Sequence, residues 1–297
     1  MGGRRMDIVD AQVHMNVIGT EAALAIMDAI GIQAVLIDEY AAQDQDGAWL
    51  PCYKLPNGAA RPIAPNAEAA AVRFPDRFAY LMRINPVDPS LEAWLEIISA
   101  SPNLRALRAM VNGPVDGTLF ETGGFDRFFK AASAHGKAVF MYCPTQLRNL
   151  VPYIRRFPSL QFVIDHCGVD CSAPVNTSSL DDIVHMAEYG NVAVKWSHAP
   201  MCLSVEPYPF ADLEPKLKRL IDAFGRERVM WASDYTWNRP RENWAESIFS
   251  IRHSSALSDS DKEWVLGRAL RSVLRWPMPE RPAPFRAIMH PEFRPSS

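Results

Sequence analysis

Short apolar runs of four to eight residues recur along this chain, and a longer stretch with helical periodicity follows most of them. The runs are Asp7–Val13, Ala34–Asp38, Phe78–Ile84, Leu104–Val111, Ala138–Tyr142, Gln161–Asp165, Val192–Trp196 and Val229–Ala232. They are rich in Val, Ile, Leu and Met and lack clean alternation, the pattern of parallel strands covered on both faces. Amphipathic stretches lie between them at Glu21–Ile30, Leu91–Ala100, Phe125–Ala134, Leu147–Phe157, Leu180–Tyr189 and Leu213–Phe224. Several end on a helix stop, as at Gly31, Gly136, Pro158 and Gly190. Eight strand-then-helix units with no GxGxxG after the first strand predict a single-domain α/β fold, a (β/α)8 TIM barrel over 7–276. A flexible N-terminus (1–6) precedes it and a Pro-rich extended tail (277–297) follows it. The long connection 39–65, with Trp49, Tyr53 and several Pro and Gly, follows the second strand and is expected to be a structureless loop covering the substrate.

Composition narrows the role. The 48% hydrophobic content is ample for a core, and 31 basic against 34 acidic residues give a net charge of -3 without basic runs or acidic tails. Nucleic acid and membrane surfaces are therefore not expected partners, and a small molecule is. No apolar run is long enough to span a bilayer, and no secretory h-region opens the chain. Five cysteines without a CxxC pair suit a reducing cytoplasmic setting, and Cys167 and Cys171 read as buried or loop thiols. The sequence leaves the oligomeric state open, a homo-oligomer included.

In a TIM barrel the C-terminal strand ends share one rim, where catalytic groups gather. The residues at or just past those ends are Gln12 and His14, Arg83, Arg108, Tyr142 and Cys143, His166, Lys195 and His198, and Asp234. Asp234 is the most telling, because a carboxylate closing a buried Val-Met-Trp run must be paired, hydrated or catalytic. His135, His185, His253 and His290 fall on helices or in the tail and are left out.

Four stretches carry a family resemblance: Asp10-Ala-Gln-Val-His14, Arg156 to Gly168 with its Asp165-His166-Cys-Gly ending, Asn191-Val-Ala-Val-Lys195-Trp-Ser, and Gly225 to Asp234. Together they resemble the amidohydrolase-related TIM-barrel hydrolases, a family that includes 2-pyrone-4,6-dicarboxylate lactonase as well as decarboxylases and hydratases. The resemblance implies an active site at His14, His166 and Asp234. Two departures stand out. Gln12 occupies the place of the first histidine of the metal-binding pair, and Met141-Tyr142-Cys143 that of the histidine ending the fifth strand. Amide oxygen is a poor ligand for zinc beside imidazole, so a site with no metal cofactor is favoured. A single divalent metal such as zinc on His14, His166 and Asp234, with Cys143 as a fourth ligand, is the runner-up. The expected reaction is the opening of a carboxylate-bearing lactone by water. Asp234 is the base, His14 and His166 polarise the carbonyl, and Gln12, Arg83, Arg108, Tyr142 and Lys195 bind substrate. The alternatives are a lactone isomerase or a metal-dependent decarboxylase on the same site, and a non-catalytic ligand-binding barrel.

Overall fold

A computed structural model describes residues 6–39, 52–57, 59–62, 66–111, 113–171, 179–238 and 243–279. All eight predicted strands form, with boundaries within two residues of those expected. They are β1 (Val9–Val13), β2 (Ala34–Glu39), β3 (Phe78–Arg83), β4 (Leu104–Met110), β5 (Ala138–Tyr142), β6 (Phe162–Ile164), β7 (Val192–Trp196) and β8 (Val229–Trp231). They make one sheet in sequential order, and every paired neighbour is parallel. The Asp234 amide donates to the Gln12 carbonyl at 3.1 Å, bringing the end of β8 against β1 and drawing the sheet into a barrel. The (β/α)8 TIM-barrel reading holds.

Side chains alternate in and out along each strand. One set, including Ala34 and Leu36, Ala79 and Leu81, Ala106, Phe140, Val163 and Ala193, fills the barrel interior. The intervening positions, such as Val35, Ile37, Tyr80, Leu107 and Met141, pack under the surrounding helices. Counting inward positions by twos places Asp38, Arg83, Tyr142, Asp165 and Lys195 as the last inward residue of β2, β3, β5, β6 and β7, or the residue just beyond, and Arg108 as the last but one of β4. The strand period therefore delivers one ring of polar groups to the rim.

Two expectations need correction. The connection 39–65 is not wholly structureless, because Cys52–Lys54 pairs antiparallel with Ala60–Pro62 in a small hairpin. Trp49, with the rest of 40–51 and residues 58 and 63–65, lies outside the described residues, as do 1–5 of the N-terminus and 280–297 of the tail. Helices Asn66–Arg73, Gly113–Glu121 and Trp244–Arg252 were not expected. Among the described residues, no helix is long and apolar enough to cross a membrane.

Candidate active site

The rim is buried and almost fully paired. On the β2 to β4 side, Arg83 and Arg108 stand beside one another in register. Arg83 grips Asp38 with both arms, at 2.8 Å from Nε and 2.5 Å from Nη2. Arg108 donates to the same carboxylate through Nη1 and to Asp165 through Nε at 2.6 Å. Burial alone would raise the Asp38 pKa, but the two guanidiniums outweigh it and hold the carboxyl below the usual carboxylate range. Both arginines expected to bind a substrate anion are thus turned on carboxylates of the barrel itself.

Lys195 is fully buried and lies 2.7 Å from Asp165 Oδ1. It also donates to Gln12 Oε1. Burial lowers its pKa, and Asp165 opposes that shift. The contact with Gln12 orients an amide whose two ends are otherwise hard to tell apart: an ammonium only donates, so Oε1 faces Lys195 and the amide N–H faces Asp234. Gln12 Nε2 donates to Asp234 Oδ2 at 2.8 Å and lies 3.3 Å from His14 Nε2.

Asp234 stands at the centre, 1% exposed. Its Oδ2 also accepts from His198 Nε2 at 2.7 Å, and His166 Nε2 is 3.8 Å away. Its Oδ1 makes no well-formed hydrogen bond among the described residues, and His14 Nε2 approaches it at 3.3 Å. Burial pushes the Asp234 pKa up, but His198 and His14 more than reverse this, and the group lies well below its ordinary value. The histidines are held from behind. The Asp38 carbonyl accepts from His14 Nδ1 at 2.6 Å, and His166 Nδ1 is 2.6 Å from Ser197 Oγ. Burial, then the proximity of His198 and Lys195, push the His166 pKa well below 6.5, so the ring is neutral. His166, His198 and Asp234 have φ of 50, 56 and 45°, in the left-handed region. Such backbone costs about 1–3 kcal/mol per residue and clusters at functional sites.

The structure therefore gathers Gln12, His14, His166, Lys195 and Asp234. Tyr142 stands at the edge, its ring 5.5 Å from His166, with its pKa raised by burial. Cys143 is buried, with burial pushing its thiol up to about 12. The donor cluster that does form is His166, Cys171 and His198, with one candidate ligand atom from each within 4.8 Å of the others. Cys171, read as a plain loop thiol, thus joins the site. Three further members escaped the role assignment. His198 had been placed on the rim and given no task, whereas Asp38 and Asp165 close buried strands just as Asp234 does, a signal that would have found them.

The metal set implied by the resemblance does not fit. Gln12, locked by Lys195, presents an N–H donor to both Asp234 Oδ2 and His14 Nε2, so its hydrogens occupy lone pairs that a cation between these two residues would need.

Comparison with known proteins adds the following. The amidohydrolase family model matches residues 9–275. L-fucono-1,5-lactonase of Burkholderia ambifaria is 28% identical over 151 residues, covering 48% of this chain and 49% of the relative, so the match spans about half the length of that protein. An amidohydrolase of Burkholderia multivorans, solved with bound zinc, superposes with a TM-score of 0.69 at 17% identity, over 91% of this chain and 100% of that one. A Pseudomonas putida protein assigned as a 2-pyrone-4,6-dicarboxylic acid hydrolase gives 0.64 at 16% identity, over 92% and 98%. The expectation of a metal-free site gains nothing here, since that neighbour holds zinc and this chain has a His-Cys-His donor set.

Proposed function

Because the chain belongs to the amidohydrolase family, we propose that it is a hydrolase that opens a cyclic ester, with Asp234 as the group that activates water. One observation carries this reading. Asp234 Oδ2 is saturated by Gln12 and His198, while Oδ1, facing His14, is left with lone pairs to spare. A buried carboxylate that stays ionised and has one open oxygen is suited to take a proton from a water held against an acyl carbon. Its low pKa makes it a weak base, and proximity must make up the difference.

In this reading water adds to the lactone carbonyl as Oδ1 takes its proton. The oxyanion develops beside the Arg108 Nη2 that lies 3.4 Å from His166 Nε2, whose fixed positive charge stabilises it. The ring C–O bond then breaks, and the proton held by Asp234 passes to the leaving ring oxygen, giving a hydroxy acid. Lys195 and Gln12 act by holding the Asp234 carboxylate in place. Arg83 and Arg108 are not used as clamps for a substrate carboxylate, because their partners are Asp38 and Asp165. The partial match to a lactonase supports the substrate class.

A panel of lactones in weak buffer with a pH indicator tests the reading. Acid release is expected, with a product heavier than substrate by one water. A product of unchanged mass would replace hydrolysis by isomerisation. Absence of turnover across the panel, together with ligand-induced stabilisation, would leave only a binding barrel. Asp234→Asn should lower kcat by about 10²–10⁴ in protein shown to be folded by circular dichroism, and because it removes a buried carboxylate from His198 it should also lower the urea midpoint. Full activity in that variant removes Asp234 as the base.

A further inference from the structure

The floor of the barrel, at the end of the strands opposite Asp234, gathers positive charge that the hydrolytic reading does not use. Arg105 stands at the start of β4 and Lys137 immediately precedes β5. The next residues, Ala106 and Ala138, are register partners, so the two cations begin neighbouring strands side by side. The end of the chain closes the floor: Leu270, Leu274 and Trp276 pack on the interior cluster, and Arg271 on the same segment reaches Asp7, just ahead of β1. Three cations thus meet one carboxylate, and Arg271 has already taken it. Its Nε and Nη2 donate to Asp7, and its Nη1 donates to the Pro277 carbonyl at 3.0 Å. Lys137 gives one N–H to the Leu104 carbonyl at 2.9 Å, which leaves two of its three hydrogens. The Nε of Arg105 is shut off from water and has no hydrogen-bond partner among the described residues. Burial and then Arg271 lower the Arg105 pKa, while burial and then Arg105 lower that of Lys137. Among the described residues no acid opposes either shift.

We propose that Arg105 and Lys137 bind one small oxyanion, a phosphate or a carboxylate group, at the floor of the barrel. A planar guanidinium offers a fork of N–H donors that matches two oxygens of such a group, and an ammonium holds another oxygen as a point charge. The anion would give the Arg105 Nε the acceptor it lacks, and its charge would relieve the repulsion between neighbouring cations in a partly desolvated place. Arg271, with its donors spent on Asp7 and Pro277, flanks the site without donating to it. The site does not depend on which reaction the rim performs.

Urea unfolding of the full chain at fixed ionic strength in chloride provides the test, with inorganic phosphate added in one arm and acetate in the other. The midpoint should rise and then level off as for a single site, because the anion binds the folded chain and not the unfolded one. A rise with phosphate alone identifies a phosphate site, a rise with acetate alone a carboxylate site, and a rise with both a site for either. Phosphate also stabilises proteins in general, so the variants carry the decision. Arg105→Gln should weaken binding by more than about tenfold and remove the saturating increment, and Lys137→Gln should weaken binding in the same direction. Arg148→Gln, which removes an exposed cation on the helix Leu147–Arg156, should keep the increment. Circular dichroism identifies a variant that does not fold, and if Arg105→Gln is one, Lys137→Gln decides. An increment of equal size in the unaltered chain and in the folded floor variants, a rise that never levels off, or no rise with either anion would each overturn the proposal. Lactone turnover is assayed separately, and its absence beside a saturating increment counts against the hydrolase and leaves the anion site standing.

Discussion

Lys195 ties the two halves of the rim together, because its ammonium meets Asp165, itself held by Arg108, and Gln12, which in turn holds Asp234. Replacing it by Met would keep most of the volume but leave the Asp165 carboxylate short of one cation and Gln12 Oε1 without a donor. Breaking a buried ion pair from one side costs about 3–5 kcal/mol. Urea unfolding of Lys195→Met should show a loss of that size, whereas an unchanged midpoint would mean that the pair contributes nothing net. The amide of Gln12, freed to turn, should also misplace Asp234 and depress turnover in whatever fraction stays folded. In the sequence this lysine was conspicuous, since an ammonium after Val-Ala-Val needs a partner. What the sequence hid was which partner. Asp165 and Gln12 lie far from it along the chain and meet it only once the barrel closes. The same holds for Arg83 and Arg108: their charge was legible, but the carboxylates they pair with, Asp38 and Asp165, were not.

The strands were readable because a parallel strand inside a ring of helices is apolar on both faces and short, which leaves an unambiguous run. The missed helices lack such a mark. Asn66–Arg73 buries only alanines, and Gly113–Glu121 carries two glycines and a proline that read as a turn. The end of the chain shows how closely elements meet. The π-helical turn Trp264–Arg268 packs on the start of β1, and a Cβ added at Gly267 would come within 1.9 Å of the Asp7 carbonyl oxygen. That neighbour is backbone and cannot rotate away. Gly267→Ala should therefore push the terminal helix off β1 and cost at least about 1–3 kcal/mol, the usual range for overpacking. Gly190→Ala, where an added Cβ would meet nothing within 4 Å, is the control in the same urea assay. Equal losses in the two variants would contradict the close approach.

Across the whole molecule, the buried charges set how stability responds to acid, and two of them oppose each other. His166 has its pKa pushed well below 6.5 in the folded barrel by burial and by His198 and Lys195. As pH falls below 6.5 the unfolded chain takes up a proton that the folded one refuses, so this group removes stability. Asp10 behaves in the opposite way. Burial raises its pKa from 3.8 to about 6, despite hydrogen bonds from Ser233, Gln12 and Trp244. Between those two values the folded chain binds a proton that the unfolded chain lacks, so stability from Asp10 is present at low pH and lost as pH rises through about 6. The two slopes have opposite sign just below pH 6. Below that window the depressed carboxyls of Asp38 and Asp234 protonate first in the unfolded chain, and nothing offsets them. The urea midpoint of chelator-treated protein should accordingly fall less steeply between about pH 6 and 4 than below that window. Asp10→Asn removes the compensating group, and although the amide disturbs its hydrogen bonds and lowers stability at every pH, the readout is the slope. In that variant the decline should begin near pH 6.5, where the histidine starts to act. A midpoint that remains flat down to pH 4 in Asp10→Asn would show that the balance has another origin.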